Sequence, residues 1–235
     1  MKLWTPSADY IARSEMTAFK NFVEKKYNLH FSSYAEFQGW SVEKLEDFWA
    51  SIYAYFKVES TYEFVHKGDF IGGEWFKGST LSYAEHIFRN YTDERPAVIY
   101  RSEQAERREV SWSELKKTTL AVQNYLRRSG VGAGDCVAGV LNNTPEALAI
   151  FLAVNSLAAV WTCCSPDFGA DSIRERFEQI GPKVLFADKN YHYNGKVFRK
   201  SALIRDLSEK INSIEDVVVV QDLKGRSLLA LTPKA

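Results

Sequence analysis

The chain carries two short apolar runs, Asp135-Cys-Val-Ala-Gly-Val-Leu141 and Ala159-Val-Trp-Thr-Cys163, with a helix signal between them. The signal is Asn143-Thr-Pro-Glu146, which supplies an N-cap residue, a proline for the first turn and a first-turn acid. A helix is therefore predicted from here to about Leu157. Near-continuous apolar strands joined by a helix are typical of a sheet covered on both faces, so we predict one β-α-β unit with parallel strands.

Two further helix and strand pairs are predicted toward the C-terminus. The strands are expected at residues 183–187 and 216–220. Each follows a segment whose apolar residues recur at three- and four-residue steps: Ile173, Phe177 and Ile180 in the first, and Leu203, Leu207 and Ile211 in the second. Strands that alternate with helical crossovers predict an α/β fold, a parallel β-sheet flanked by helices, over residues 93–235.

The first 92 residues differ from the rest because they are helical in pattern and rich in aromatic residues. Apolar residues recur at helical spacing between Ile11 and Tyr27, and again between Val42 and Phe56, where Ser41 is expected to cap the helix. A capping box at residues 82–85 predicts one more helix. We predict a helical N-terminal extension over residues 1–92, whose aromatic stripe packs against the following domain and does not form a ligand platform.

Composition and charge exclude several classes of function. Thirty basic and thirty acidic side chains leave no net charge, so nothing favours nucleic acid or an anionic membrane as a partner. The longest apolar run, residues 147–161, is shorter than the roughly 20 residues that span a bilayer. The N-terminus has no secretory pattern, and Cys136, Cys163 and Cys164 are expected to be buried thiols. We predict a cytoplasmic protein with no membrane or nucleic-acid partner.

Familiar catalytic motifs find no match. The glycines of Gly130-Val-Gly-Ala-Gly134 precede a strand, whereas a dinucleotide loop must follow one, so they are expected to end a helix and make a turn. Gly195-Lys196 lacks the remainder of a Walker A loop. The four histidines are scattered, so neither a metal site nor a hydrolase triad is predicted.

Three polar loops follow the predicted strands and are the candidates for a binding site. They are residues 142–143, 165–169 and 190–196. In an open parallel sheet, ligands bind beyond the carboxyl ends of the strands, which is where these loops are expected to lie.

Beyond spacing, the residues themselves resemble a known family. Residues 134–149, Ala159-Val-Trp-Thr-Cys-Cys-Ser-Pro-Asp-Phe-Gly169, residues 180–188 and Tyr193-Asn-Gly-Lys196 resemble the N-terminal part of the acetoacetyl-CoA synthetase family, which belongs to the adenylate-forming acyl-CoA ligases. Residues 3–7 and 75–85 look similar too, so the likeness covers nearly the whole chain. The loop Cys164-Ser-Pro-Asp-Phe-Gly169 favours the acetoacetate branch over the acetate branch, where this loop is richer in glycine.

The resemblance implies a two-step ligase. ATP and a carboxylate give an acyl-adenylate and pyrophosphate with Mg²⁺, and the thiol of CoA then attacks the adenylate. In related ligases one loop and one basic turn lie along CoA and its phosphates, and they match the following positions here: Ser165, Pro166, Asp167, Tyr193, Gly195 and Lys196. An ammonium at Lys196 beside the 3′-phosphate would make a charge-assisted contact. The relatives' turn is richer in arginine. The alternatives are an ordinary exposed lysine, and an Asp167 or Asp171 that only favours the start of the next helix.

The family's Ser/Thr/Gly-rich phosphate loop, its later ATP-ribose motif and its catalytic lysine find no match in this sequence. We therefore expect an N-terminal portion of such an enzyme, without catalytic residues of its own, inactive alone and partnered by a missing C-terminal portion. ATP, Mg²⁺ and CoA would serve the full-length enzyme, and none is expected to bind this chain tightly.

Other interpretations remain open. The chain could be a stand-alone binding or interaction module, a ligase for another short acid such as acetate or propionate, or an unrelated nucleotide-binding oxidoreductase module, which would need a glycine fingerprint after a strand. The aromatic arm could pack on its own domain, on the missing portion or on a second subunit, so self-association of the isolated chain and modest solubility are expected.

Overall fold

The computed structural model describes residues 3–103 and 106–220, together with the backbone of residues 230–233. The chain divides into two compact units, Met1–Leu81 and Ser82–Ala235. Across the described residues, no helix combines the length and the apolar character needed to cross a bilayer.

The first unit is helical with one small hairpin. Its elements are α1 (Ala8–Ala12), α2 (Glu15–Tyr27), α3 (Tyr34–Glu43), α4 (Leu45–Tyr55), and the antiparallel pair β1 (His66–Lys67) and β2 (Glu74–Trp75). Each of the two long helices predicted here is divided in two. The first breaks at Ser14, whose hydroxyl caps α2 by accepting from the Thr17 N–H at 3.2 Å. The second breaks at Lys44, and Ser41 lies inside α3 with its hydroxyl donating to the Gln38 carbonyl, so the predicted Ser41 cap is wrong.

The aromatic stripe forms the core of this first unit. Phe19, Phe31 and Phe37 are buried there, and the rings of α4 pack on them. The Phe19 ring meets the Tyr55 ring edge to face with centroids 5.2 Å apart, the arrangement that aromatic quadrupoles favour. The rings of the first unit therefore pack on one another.

The second unit contains the alternating strands and helices. Its elements are α5 (Tyr83–Phe88), β3 (Val98–Tyr100), β4 (Arg108–Val110), α6 (Trp112–Arg128), β5 (Cys136–Val140), α7 (Pro145–Asn155), β6 (Val160–Cys164), α8 (Ala170–Ile180), β7 (Val184–Asp188), β8 (Asn190–Tyr193), β9 (Lys196–Arg199), α9 (Ser201–Lys210), β10 (Asp216–Val220) and β11 (Ala230–Pro233). Helix α5 lies in this unit, whereas the sequence pattern predicts it within the N-terminal extension, residues 1–92. The reason is packing, because Ala84 is buried in one cluster with Ala149 and Leu152 of α7.

The central sheet has the strand order β11-β10-β7-β5-β6, in which β10, β7, β5 and β6 are parallel and β11 is antiparallel to β10. Both faces of the sheet are covered. Phe186 faces a cluster with Leu126 of α6 and Ile150 of α7, whereas Leu185 faces a cluster with Phe177 of α8 and Leu207 of α9. The predicted α/β fold, a parallel sheet flanked by helices, is confirmed.

Candidate functional site

The strand order reverses between β5 and β7, and a cavity of about 530 Å³ lies at their carboxyl ends. From β5 the chain crosses to β6 on one side, then returns past β5 to β7 on the other. Loops that leave in opposite directions at such a switch point open a crevice, which is the usual ligand position in parallel sheets. The cavity is lined by Asn142 and Asn143, which follow β5, by Asp188 at the end of β7, and by Asn190 and His192, which follow β7. Two of the three predicted polar segments, 142–143 and 190–196, therefore reach it.

A polar clasp, the hydrogen bonds that join Asn142 to Asp188 and Asn190, links the ends of β5 and β7 beside this cavity. The Asp188 carboxylate accepts from the Asn142 backbone N–H at 2.6 Å and from the Asn142 side-chain amide at 2.7 Å. The same amide donates to the Asn190 carbonyl at 3.1 Å. Asn142 therefore fixes both the spacing of the two strand ends and the start of the segment that follows β7.

Residues 190–196, expected to form a loop, form a β-hairpin instead. β8 and β9 pair antiparallel, with Tyr191 opposite Phe198 and Tyr193 opposite Lys196. The two-residue turn is Asn194-Gly195, with φ values of 50° and 70°. Two consecutive positive φ values define a type I′ turn, for which Asn-Gly is the preferred dipeptide, so the sequence did carry a signal for this hairpin.

The hairpin presents three of the predicted site residues. Tyr193 and Lys196 are the last cross-strand pair before the turn, and Gly195 lies in the turn itself. The side chains of Tyr193 and Lys196 are exposed. The Tyr193 ring stacks on Tyr191 with centroids 6.2 Å apart, so the aromatic side of the hairpin is ordered by ring contact.

Glu103, which no sequence motif singles out, binds the tip of this hairpin. Its two carboxylate oxygens accept from the backbone N–H groups of Asn194 at 3.0 Å and Gly195 at 3.1 Å. These two hydrogen bonds, with the charge of His192, hold the pKa of Glu103 below its ordinary value. A phosphate near the turn therefore finds both amides already bound to a carboxylate, and Lys196 is left as the cationic group of the turn.

The loop after β6 carries the other three predicted residues. Pro166 is buried, whereas Ser165 and Asp167 are exposed. Gly169 is the N-cap of α8 and supplies no side-chain cap, and first-turn Asp171 pairs with Arg174 at 2.8 Å. Asp167 thus lies outside the helix start.

Electrostatics connects this loop to the hairpin. The pKa of the Tyr191 phenol is raised, first by desolvation and then by the negative charge of Asp167. Asp167 therefore lies near enough to β8 for its charge to act on Tyr191. The role of all six residues in binding stays a prediction.

The thiols differ from the expectation in one respect. Cys164 is buried and Cys136 is partly buried, but Cys163 is exposed, so the prediction of three buried cysteines is wrong for Cys163. Desolvation of the sulfur nevertheless raises the pKa of both Cys163 and Cys164, which lowers the thiolate fraction at neutral pH. In the described part of the chain, His, Cys, Asp and Glu side chains form no group of three or more that could hold a metal ion.

Known proteins resemble this chain in sequence and in fold. The model of the AMP-binding enzyme family matches residues 85–233. An acetoacetyl-coenzyme A synthetase of Rhizobium meliloti is 33% identical over 214 residues, which cover 90% of this chain and 33% of that protein. A malonamoyl-CoA synthetase of Penicillium aethiopicum is 30% identical over 233 residues, covering 95% of this chain and 32% of that protein.

A solved structure has a similar fold. Acetoacetyl-CoA synthetase from Streptomyces lividans superposes with a TM-score of 0.85 at 33% identity, over 96% of this chain and 36% of that chain. The chain spans about a third of the length of the relatives it matches. Since the family model covers the larger part of the sequence, and a relative of known structure shares its fold, the chain belongs to the AMP-binding enzyme family.

Proposed function

We propose that this chain is the N-terminal part of an AMP-forming acyl-CoA ligase that activates acetoacetate, and that it supplies one wall of the CoA site. The observation that carries the proposal is the exposed Tyr193 and Lys196 pair on a hairpin tied to the switch point of a sheet of this family. The names of the similar proteins support the reaction, because two of the three reported are acetoacetyl-CoA synthetases.

The contact we assign to Lys196 is with the 3′-phosphate of CoA. Its ammonium is exposed beside the turn, and an N–H donor that carries charge binds a phosphate oxygen more strongly than a neutral donor does. Since Glu103 accepts both turn amides, phosphate recognition at this turn depends on the side chain and not on a backbone cradle.

Tyr193 and the loop Ser165-Pro166-Asp167 are proposed to flank the nucleotide. Tyr193 offers an exposed ring face for an adenine. Ser165 offers a hydroxyl for a ribose or amide group, and buried Pro166 fixes the path of the loop. Asp167 is a carboxylate, so we assign it to a hydroxyl or N–H donor of the ligand and not to a phosphate oxygen.

The chemistry of the proposed reaction explains why CoA must be held in place. A carboxylate is a poor electrophile, and joining it to AMP as a mixed anhydride provides a good leaving group. The CoA thiolate then attacks the acyl carbon, so that a C–S bond forms, the bond to the phosphate oxygen breaks and AMP leaves. This chain contributes orientation of the thiol by anchoring the nucleotide end of CoA, which turns a bimolecular attack into an oriented one.

The adenylation step is assigned to residues outside this chain. The sequence contains no match to the Ser/Thr/Gly-rich phosphate loop of the family, so ATP and Mg²⁺ are assigned to the remainder of the enzyme. We expect the 235-residue chain to release no AMP from ATP when it is alone.

Malonamate is a second candidate substrate, which the similarity to a malonamoyl-CoA synthetase favours. Malonamate and acetoacetate have the same length and carry a carbonyl at the same carbon, and they differ by an amino group in place of a methyl group. A pocket selective for malonamate needs a hydrogen-bond acceptor for its amide N–H. Acetoacetate would leave that buried acceptor without a partner, which strongly disfavours its binding.

An activity assay on the native gene product tests the proposal. AMP release and thioester formation would be measured with ATP, CoA and one of four acids: acetoacetate, malonamate, acetate or propionate. We expect acetoacetate to give the highest kcat/KM. Highest activity with malonamate would make malonamate the substrate in place of acetoacetate. Activity with acetate alone would assign the enzyme to the acetate branch of these ligases. No CoA-dependent AMP release with any acid would refute the ligase assignment.

A further inference from the structure

The β8–β9 hairpin has little hydrophobic support of its own. All four residues of β9 are exposed, and the ring contact of Tyr191 with Phe198 has centroids 5.9 Å apart. An isolated two-stranded hairpin is only marginally stable in water, so its order depends on contacts with the remainder of the unit. These contacts are concentrated at its two ends.

The base of the hairpin is anchored to the sheet. The Asn142 side chain donates to the Asn190 carbonyl at 3.1 Å, and the Lys200 N–H donates to the Lys189 carbonyl at 2.9 Å. The Lys200 ammonium lies 5.7 Å from the centre of the Tyr191 ring. The strands therefore leave the sheet in a fixed direction, but these contacts do not reach the turn.

The tip is held by Glu103, which is 91 residues away from Asn194 in the sequence. Each of the two consecutive turn amides donates to a different oxygen of the carboxylate. Hydrogen bonds to an ionised acceptor are stronger than those between neutral groups. Both turn residues have positive φ, a conformation that Gly195 adopts freely and that Asn adopts more readily than other residues with a Cβ. The carboxylate stabilises this conformation because it binds the two amides that the turn brings together.

We propose that Glu103 is a positioning residue for CoA, which holds the hairpin tip in the conformation that presents Tyr193 and Lys196 to the nucleotide. This inference rests on the function proposed above, since it assigns to Glu103 the geometry of the same site. In this role Glu103 acts through the hairpin and not by contact with CoA. By occupying the turn amides, it also keeps the phosphate on the side chain of Lys196.

Two measurements test the contact and its consequence. The first is amide hydrogen exchange at Asn194 and Gly195 by NMR at neutral pH. Glu103→Gln removes the charge and leaves one oxygen acceptor in place of two, so both amides are expected to exchange at least about threefold faster. Glu106→Gln makes the same charge change three residues away and is expected to leave both rates unchanged. Unchanged exchange in Glu103→Gln would overturn the proposal, whatever the chain binds.

The second measurement is calorimetric titration with CoA and with 3′-dephospho-CoA. We expect Glu103→Gln to weaken CoA about fivefold and dephospho-CoA by a smaller factor, because the misplaced group is the one that meets the phosphate. Equal weakening of both ligands would show a merely structural residue. Tighter CoA binding would show that the carboxylate competes with the phosphate for the turn amides. Either result overturns the positioning role.

Lys196→Ala separates this inference from the proposed function. If Lys196→Ala and Glu103→Gln both reduce the preference for CoA over dephospho-CoA, both proposals hold. If only Lys196→Ala does so, the site is correct and the role of Glu103 is wrong. If the wild-type chain does not prefer CoA over dephospho-CoA, the site proposed for the phosphate is wrong, and with it the role of Glu103 in CoA binding, even where the exchange experiment verifies the contact.

Discussion

Replacing Asn142 with alanine should lower the stability of the second unit by about 2 kcal/mol. The substitution removes the hydrogen bond from the side-chain amide to the Asp188 carboxylate, 2.7 Å long, and the one to the Asn190 carbonyl, 3.1 Å long. Net contributions are about 1.5 to 3 kcal/mol for a bond to a charged group and about 0.5 to 1.5 kcal/mol for a neutral one, so the two together contribute about 2 to 4.5 kcal/mol. The lower part of that range applies, because the backbone N–H of residue 142 keeps its own bond to Asp188.

Hydrogen exchange of the amides in β5 and β7, measured over a urea series, reports the unfolding free energy of this unit alone. Asn143→Ala is the matched control. Asn143 is exposed and, among the described residues, its side chain makes no hydrogen bond, so its removal should change stability by less than about 0.5 kcal/mol. A loss below 0.5 kcal/mol for Asn142→Ala, or an equal loss for both variants, would refute the idea that this clasp ties the strand ends together.

Two further outcomes follow from the packing of the same unit. A Cβ at Gly139 would lie 2.6 Å from the Trp161 ring, so Gly139→Ala should lower the unfolding free energy, measured in urea, by about 1 to 3 kcal/mol. A Cβ at Gly132 would meet nothing within 4 Å, so Gly132→Ala is the control and should not destabilise the protein. Equal stability of the two variants would contradict this. Desolvation and the hydrogen bond to Asp216 raise the pKa of Tyr125, so the folded state retains the phenol proton and loses stability as pH rises above the ordinary value of 10.0. Tyr125→Phe should flatten that alkaline loss in unfolding free energy measured between about pH 8 and 11, and an unchanged slope would assign the loss to other groups.

The sheet was predictable because each of its parallel strands is an apolar run bounded by local signals. Thr144 illustrates this, since its hydroxyl caps α7 by accepting from the Ala147 N–H at 3.2 Å, as the sequence Asn143-Thr-Pro-Glu146 indicates. Signals of this kind lie within a few residues of each other. They therefore do not depend on contacts with distant parts of the chain.

The polar character of residues 190–196 favours a loop, whereas the structure forms a hairpin there. Asn194-Gly195 between aromatic and β-branched residues is a hairpin signal that the sequence does contain. The helix break at Lys44 had no such signal, because α4 begins without a side-chain cap. Glu103 could not be found from local pattern at all, since it contacts the hairpin across 91 residues of sequence.

The proposed surface for the 3′-phosphate of CoA predicts that this chain binds CoA in preference to 3′-dephospho-CoA. Titration calorimetry on the wild-type chain should show CoA binding about fivefold to tenfold more tightly than dephospho-CoA. Lys196→Ala should abolish that difference, and Lys196→Arg should retain it, because a guanidinium also donates to phosphate. Equal binding of both ligands by the wild-type chain would show that it has no site for the 3′-phosphate, and an unchanged preference in Lys196→Ala would show that Lys196 does not bind that phosphate.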